Sequence, residues 1–166
     1  MSDLVVVGIS DYKIGINPSI LVTYALGSCI GICLYEERLK IGGLSHIMLP
    51  DSSMFPKTGT NRMKFADTAI YDMLQELIKK GADPHRLTAR IAGGAQMFKV
   101  QAESPLGAIG ARNIKSVRNV LEHFRIPIIV EDVGLNYGRT VFFELDTGTM
   151  RVQSLNRNQN MSKVSE

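Results

Sequence analysis

The amino-acid sequence predicts an α+β fold, with layered sheets and two main helices packed on one side. Three observations carry this expectation. Residues 4–49 are filled with short apolar segments of period two, residues 62–125 hold two segments of helical period, and strand-like segments return from 128 to 155. Strands at both ends of a helical middle differ from the steady strand–helix alternation of a doubly wound sheet.

Taken in order, residues 4–9 (LVVVGI) read as a first strand and residues 12–16 as a short second one. Asn17-Pro18-Ser19 is a turn, and residues 20–24 form a third strand that runs into Gly27-Ser28. Residues 29–35 are ambiguous. Ile30, Ile32 and Leu34 fall on one side of a period-two pattern, with Cys29, Gly31, Cys33 and Tyr35 on the other. Gly27 and Gly31 weaken a helix here, so a strand is expected, and a helix capped by Ser28 is the competing reading. A charged turn at 36–40 then leads to a strand over 41–49, closing a hairpin.

Residues 51–61 (DSSMFPKTGTN) are a polar loop directly after that strand. The first helix is predicted over 62–80, with Ala66, Ile70, Met73, Leu74 and Leu77 as its apolar stripe and Gly81 beyond its end. A strand over 87–91 runs into Gly93-Gly94-Ala95. The second helix spans 109–125 with Val117, Val120, Leu121 and Phe124 buried, and Pro127 stops it. Strands at 128–133, 140–145 and 150–155 follow. The expected organisation is a single domain over 1–155 and a polar, frayed tail over 156–166.

Bulk composition narrows the function. A chain of 166 residues closes one hydrophobic core. No apolar run approaches the ~20 residues of a membrane span, and residues 4–9 lack the basic flank of a signal peptide, so the expected location is the cytoplasm, without membrane insertion. Net charge is +3 with no block of Lys or Arg, which argues against nucleic-acid binding. Two cysteines without CxxC spacing, and no HExxH, EF-hand or carboxylate cluster, predict neither a metal site nor a disulfide scaffold. On a strand Cys29 and Cys33 would lie about 13 Å apart, beyond the ~7 Å that a disulfide tolerates. No cofactor-binding loop matches GxGxxG or the P-loop, so no cofactor is expected.

The candidate chemistry centres on Cys29, just after the Gly27-Ser28 turn, and His46 on the partner strand of the predicted hairpin. In a hairpin the start of one strand lies beside the end of the other, so the two approach each other in space. Nucleophilic acyl transfer needs this pair: a thiol to attack and an imidazole to move protons. Thr23, at the end of the preceding strand, is the local candidate to orient the imidazole by accepting from a ring nitrogen. Backbone N–H groups of Ser28 and Cys29 are candidate oxyanion donors. Cys33, flanked by Ile32 and Leu34, reads as core packing. His85 and His123 read as surface residues.

These residues carry a resemblance. LGSC at 26–29, HIMLP at 46–50 and the Thr23–Cys29–His46 spacing resemble the CheD family of bacterial chemotaxis proteins. So do the segment 91–98 (IAGGAQMF), Asn113-Ile114, and Asp132-Val133-Gly134 leading to Gly138-Arg139-Thr140-Val141. The resemblance implies a chemoreceptor glutamine deamidase that acts on methyl-accepting chemotaxis receptors and releases ammonia, with Cys29, His46 and Thr23 as nucleophile, base and orienting residue. It also implies a fold similar to toxin-like Cys-His glutamine deamidases, and binding of the phosphatase CheC; Phe98 is the candidate contact for that partner. Two other readings compete. A mainly non-catalytic adaptor would bind CheC and receptors without turnover, and a thiol redox sensor would need a resolving cysteine that the strand reading keeps out of reach.

Overall fold

A computed structural model describes residues 3–54, 61–97, 108–154 and 160–163. The strands are β1 (Leu4–Val6), β2 (Asp11–Ile16), β3 (Ile20–Leu26), β4 (Ile30–Glu36), β5 (Ile41–Ile47), β6 (Leu87–Gly93), β7 (Ile128–Val133), β8 (Arg139–Glu144), β9 (Thr149–Ser154) and β10 (Asn160–Lys163). The helices are α1 (Ala66–Lys79) and α2 (Ile109–His123). One five-stranded sheet runs β1-β3-β8-β9-β10 and the other β2-β5-β4-β6-β7. The architecture is α+β as expected, with both helices on one face of the second sheet.

Two cores separate the layers. Ile30, Ile32 and Leu34 of β4 pack with Ile70, Met73 and Leu77 of α1 and with Val117 and Leu121 of α2. Cys33 and Tyr35 of β4 point the other way and meet Leu21, Val141 and Phe143 of the first sheet. All seven residues of β4 are buried, because a central strand between two covered faces has no wet side. This settles residues 30–35 as strand, with Cys29 left in the turn before it rather than in the strand: the period-two pattern serves two cores. Burial of each large apolar side chain contributes about 1.5–3 kcal/mol.

The α1 stripe is buried as predicted, with Ala69 added. The helix starts later than expected, however. Residues Arg62–Lys64 form a 3₁₀ turn capped by the Asn61 side chain, and Phe65 is extended at φ −111° before α1 begins. Strand β5 ends at Ile47 rather than 49, because the Met48 and Leu49 N–H groups both turn to the Lys64 carbonyl. In α2, Val117 and Leu121 are buried and Val120 and Phe124 are partly so. The tail departs from expectation too: Asn160–Lys163 pairs antiparallel with β9 as an edge strand.

Candidate active site

The turn that precedes β4 is held from below by its carbonyls. The Ala95 N–H donates to Gly27 O at 2.9 Å and the Gly94 N–H to Cys29 O at 2.8 Å. Between them, Asn113 Nδ2 on α2 donates to Ser28 O at 2.9 Å. Gly93 and Gly94 have φ of +115° and +70°, the left-handed region that glycine enters without strain, and so carry the end of β6 beneath the turn. Because a trans peptide sets N–H opposite C=O, the N–H groups of Ser28 and Cys29 point away from Ala95 and Asn113.

His46 sits opposite Gly31 in the antiparallel β4–β5 ladder. On β5, Ile41 and Ile47 face the helices, and Leu44 and His46 therefore face the first sheet. Cys29 extends the face of Gly31, Cys33 and Tyr35, and packs against the inter-sheet core. It is half-buried. Cys29 and His46 thus lie on one face at the end of the β4–β5 ladder, Cys29 one residue beyond its last pair, Ile30 with Ile47. Gly31 lies between them without a side chain; a Cβ there would meet Thr23 Cγ2 at 3.7 Å and Leu26 Cδ1 at 3.1 Å.

Thr23 comes down from the opposing sheet. The β3–β8 ladder is irregular between Thr23 and Leu26, with Ala25 at φ +59°, so both Thr23 and Leu26 are buried across a break in the alternation. Thr23 Oγ1 donates to the Val7 carbonyl at 2.8 Å and lies 2.7 Å from His46 Nδ1. A hydroxyl has one proton, and a carbonyl cannot donate, so the proton goes to Val7. The Nδ1 of His46 is then the donor to Thr23, which leaves the Nε2 lone pair free. That Nε2 is buried and has no hydrogen-bond partner among the described residues.

Burial pushes the His46 pKa down to about 4 and the Cys29 thiol upward, against a smaller lowering by the cysteine's own backbone N–H. Both groups are therefore neutral near pH 7, which makes the resting pair thiol and imidazole rather than thiolate and imidazolium. Cys33 is pushed up to about 12 by burial, in keeping with a packing role. His85 and His123 are exposed, as expected. Phe98 lies outside the described residues.

The depressed imidazole has a consequence for stability. Between about 4 and the unfolded value near 6.5 the unfolded chain binds the extra proton. The contribution is therefore complete above 6.5 and is lost as the pH falls towards 4, by roughly 3 kcal/mol over the window. Urea melts between pH 4.5 and 7.5, as an order-of-magnitude bracket of that window, should show a steeper acid loss in the wild type than in His46→Gln. Parallel profiles would remove this imidazole as the cause.

Sequence reasoning missed Asn113 as part of this site. The signal was present: Asn113 stands four residues before Val117 on the buried stripe of α2, a position where a polar side chain needs partners. Its Nδ2 also reaches Met48 O, at 3.0 Å.

The family described as CheD chemotactic sensory transduction matches residues 48–154. The chain belongs to the CheD family. A relative from Syntrophomonas wolfei is 47% identical over 155 residues, covering 93% of this chain and 96% of the relative. One from Clostridium novyi is 48% identical over 153 residues, covering 92% and 94%. Both are named probable chemoreceptor glutamine deamidase CheD, and a Geobacter metallireducens relative at 44% identity, covering 93% and 96%, is named probable chemoreceptor glutamine deamidase CheD 2. Among solved structures, the Bacillus licheniformis hypothetical protein YfiH matches with a TM-score of 0.49 and 15% identity, over 76% of this chain and 51% of that one. No helix among the described residues is long and apolar enough to cross a membrane, and no group of three or more metal-ligating side chains occurs among them.

Proposed function

We propose that this chain deamidates glutamine side chains of chemoreceptors, giving glutamate and ammonia, with Cys29 as nucleophile, His46 as base and acid, Thr23 as its orienting residue, and the N–H groups of Ser28 and Cys29 as oxyanion donors. The observation that carries the reading is the Thr23–His46 hydrogen bond, because it leaves Nε2 as an unengaged base on the face shared with the thiol. The deamidase names of relatives at 44–48% identity point to the same reaction.

The chemistry follows from the neutral pair. As Cys29 Sγ attacks the glutamine Cδ, His46 Nε2 takes the thiol proton, and the carbonyl oxygen becomes an oxyanion. Each backbone donor aimed at that oxyanion contributes about 3 kcal/mol. The imidazolium returns its proton to the nitrogen as the C–N bond breaks, releasing ammonia and leaving a thioester. Water then attacks the thioester with Nε2 again as base, and the sulfur leaves with the proton. Thr23 holds Nδ1 throughout and supports the imidazolium each time it forms.

Incubating the purified protein with receptor cytoplasmic fragments should add roughly one mass unit at selected glutamines, the exchange of NH₂ for OH that creates a titratable carboxyl. Unchanged fragments would end this reading. Thr23→Ala should lower turnover on the order of 10²-fold without abolishing it, and Thr23→Ser should restore most of it, because only the hydroxyl positions the ring. A Thr23→Ala enzyme as dead as one without the nucleophile would mean that Thr23 does more than orient.

The finer expectations rest on the same reading. We infer CheC as a partner, a cytoplasmic location, and a kinship of fold with toxin-like Cys-His deamidases. Support for a partner surface beside Phe98 comes from its neighbour: Met97 is 43% exposed and stands over Gly27 at the mouth of the nucleophile turn.

A further inference from the structure

We infer that Asn113 is a positioning residue for the deamidation, setting the separation of the Cys29 turn and the His46 strand through one side-chain amide; this rests on the function proposed above.

The last pair of the β4–β5 ladder is Ile30 with Ile47. Beyond it the strands diverge to different partners. Met48 and Leu49 N–H turn to Lys64 O, whereas the Gly27 and Cys29 carbonyls turn to Ala95 and Gly94. The nucleophile and the base lie at this point of divergence, with Cys29 on one arm and His46 at the root of the other. Asn113 Nδ2 joins the two arms. It donates one hydrogen to Ser28 O at 2.9 Å and the other to Met48 O at 3.0 Å. Ser28 directly precedes the nucleophile, and Met48 is two residues beyond the base.

The amide is firmly mounted. Asn113 is fully buried, and its helix is seated close beneath the turn: a Cβ on Gly110 would stand 2.5 Å from Ala95 O. Because α2 lies on the helix side of the sheet and the thiol and imidazole on the other, Asn113 acts through the backbone and not on the reacting atoms. A planar NH₂ group with both hydrogens committed fixes the span between its two acceptors. A hydroxyl, with one proton, can engage one carbonyl at a time, and a methyl group none.

The test compares three variants of the full chain on a receptor cytoplasmic fragment, with kcat and KM resolved well below each melting midpoint. Asn113→Ala should lose kcat on the order of 10²-fold, as for displacement of reacting groups by about an ångström, with KM within about two-fold. Asn113→Ser should fall between it and the wild type. Val117→Ala, which weakens the same helix without touching either carbonyl, should keep wild-type kcat. Equal loss of kcat in Val117→Ala and Asn113→Ala would reduce the effect to helix stability and overturn the inference, as would wild-type kcat in folded Asn113→Ala. Should Asn113→Ala fail to fold, Asn113→Ser carries the comparison, and wild-type kcat there would overturn it. Failure of the wild type itself to convert glutamine would instead bring down the underlying function; an active wild type with an inactive Cys29→Ala beside unaffected Asn113 variants would bring down this inference alone.

Discussion

Cys29→Ala is expected to eliminate deamidation, by 10⁴-fold or more, while the chain still folds. The size follows from the proposed mechanism: without the sulfur no thioester would form, and removal of a nucleophile leaves only the residual assistance of oxyanion donors and binding. The fold should tolerate the change because the thiol is only half-buried and its backbone keeps the carbonyl bond from Gly94. Cys33→Ala supplies the contrast. That thiol is fully buried in the inter-sheet core, so its removal should lower stability by about 1–2 kcal/mol with kcat unchanged. Mass spectrometry of receptor fragments reads the first quantity and urea denaturation the second. A Cys29→Ala chain that still converts glutamine would refute the assignment of the nucleophile.

Gly93→Ala is expected to destabilise the chain by about 3 kcal/mol or more. Two penalties coincide there. The φ of +115° lies in a region that a residue with a Cβ rarely adopts, and the new Cβ would overlap the carbonyl oxygen of Cys29. Relief would require moving either the end of β6 or the Gly27–Cys29 turn, so activity should fall with stability. Gly134→Ala separates the two penalties. Its φ is +83°, but a Cβ there meets nothing within 4 Å, so only the conformational cost of about 1 kcal/mol remains. Similar urea midpoints for the two variants would show that the contact with Cys29 contributes nothing.

Much of this was legible in the sequence where the signal is local. The period-two parity of residues 30–35 and the hairpin that follows sufficed to bring His46 beside the start of β4, and the ladder has Gly31 across from His46. The α1 stripe was read almost residue for residue, since helical spacing and burial coincide there. The limits were non-local. Consecutive strands β1 to β3 alternate between two sheets, and nothing within each segment says which sheet it joins. The Val7 carbonyl that takes the Thr23 proton became visible only once β1 lay beside β3. The start of α1 was misplaced because Arg62–Lys64 is helix-like in composition and the extended Phe65 behind it has no sequence marker. The polar tail was read as frayed because residues 156–166 carry no apolar alternation, yet Asn160–Lys163 pairs with β9. Asn113 was noticed only as part of a family motif and not as part of the site, because a buried stripe is counted by its apolar members.

The neutral resting state of the Cys29 sulfur also bears on chemical durability. Peroxide and disulfide reagents consume thiolates far faster than thiols. Burial lifts the pKa of Cys29, and the neighbouring imidazole is held uncharged. The Cys29 side chain should thus be oxidised more slowly than an exposed cysteine thiol, which labelling of the folded chain with a disulfide reagent would measure.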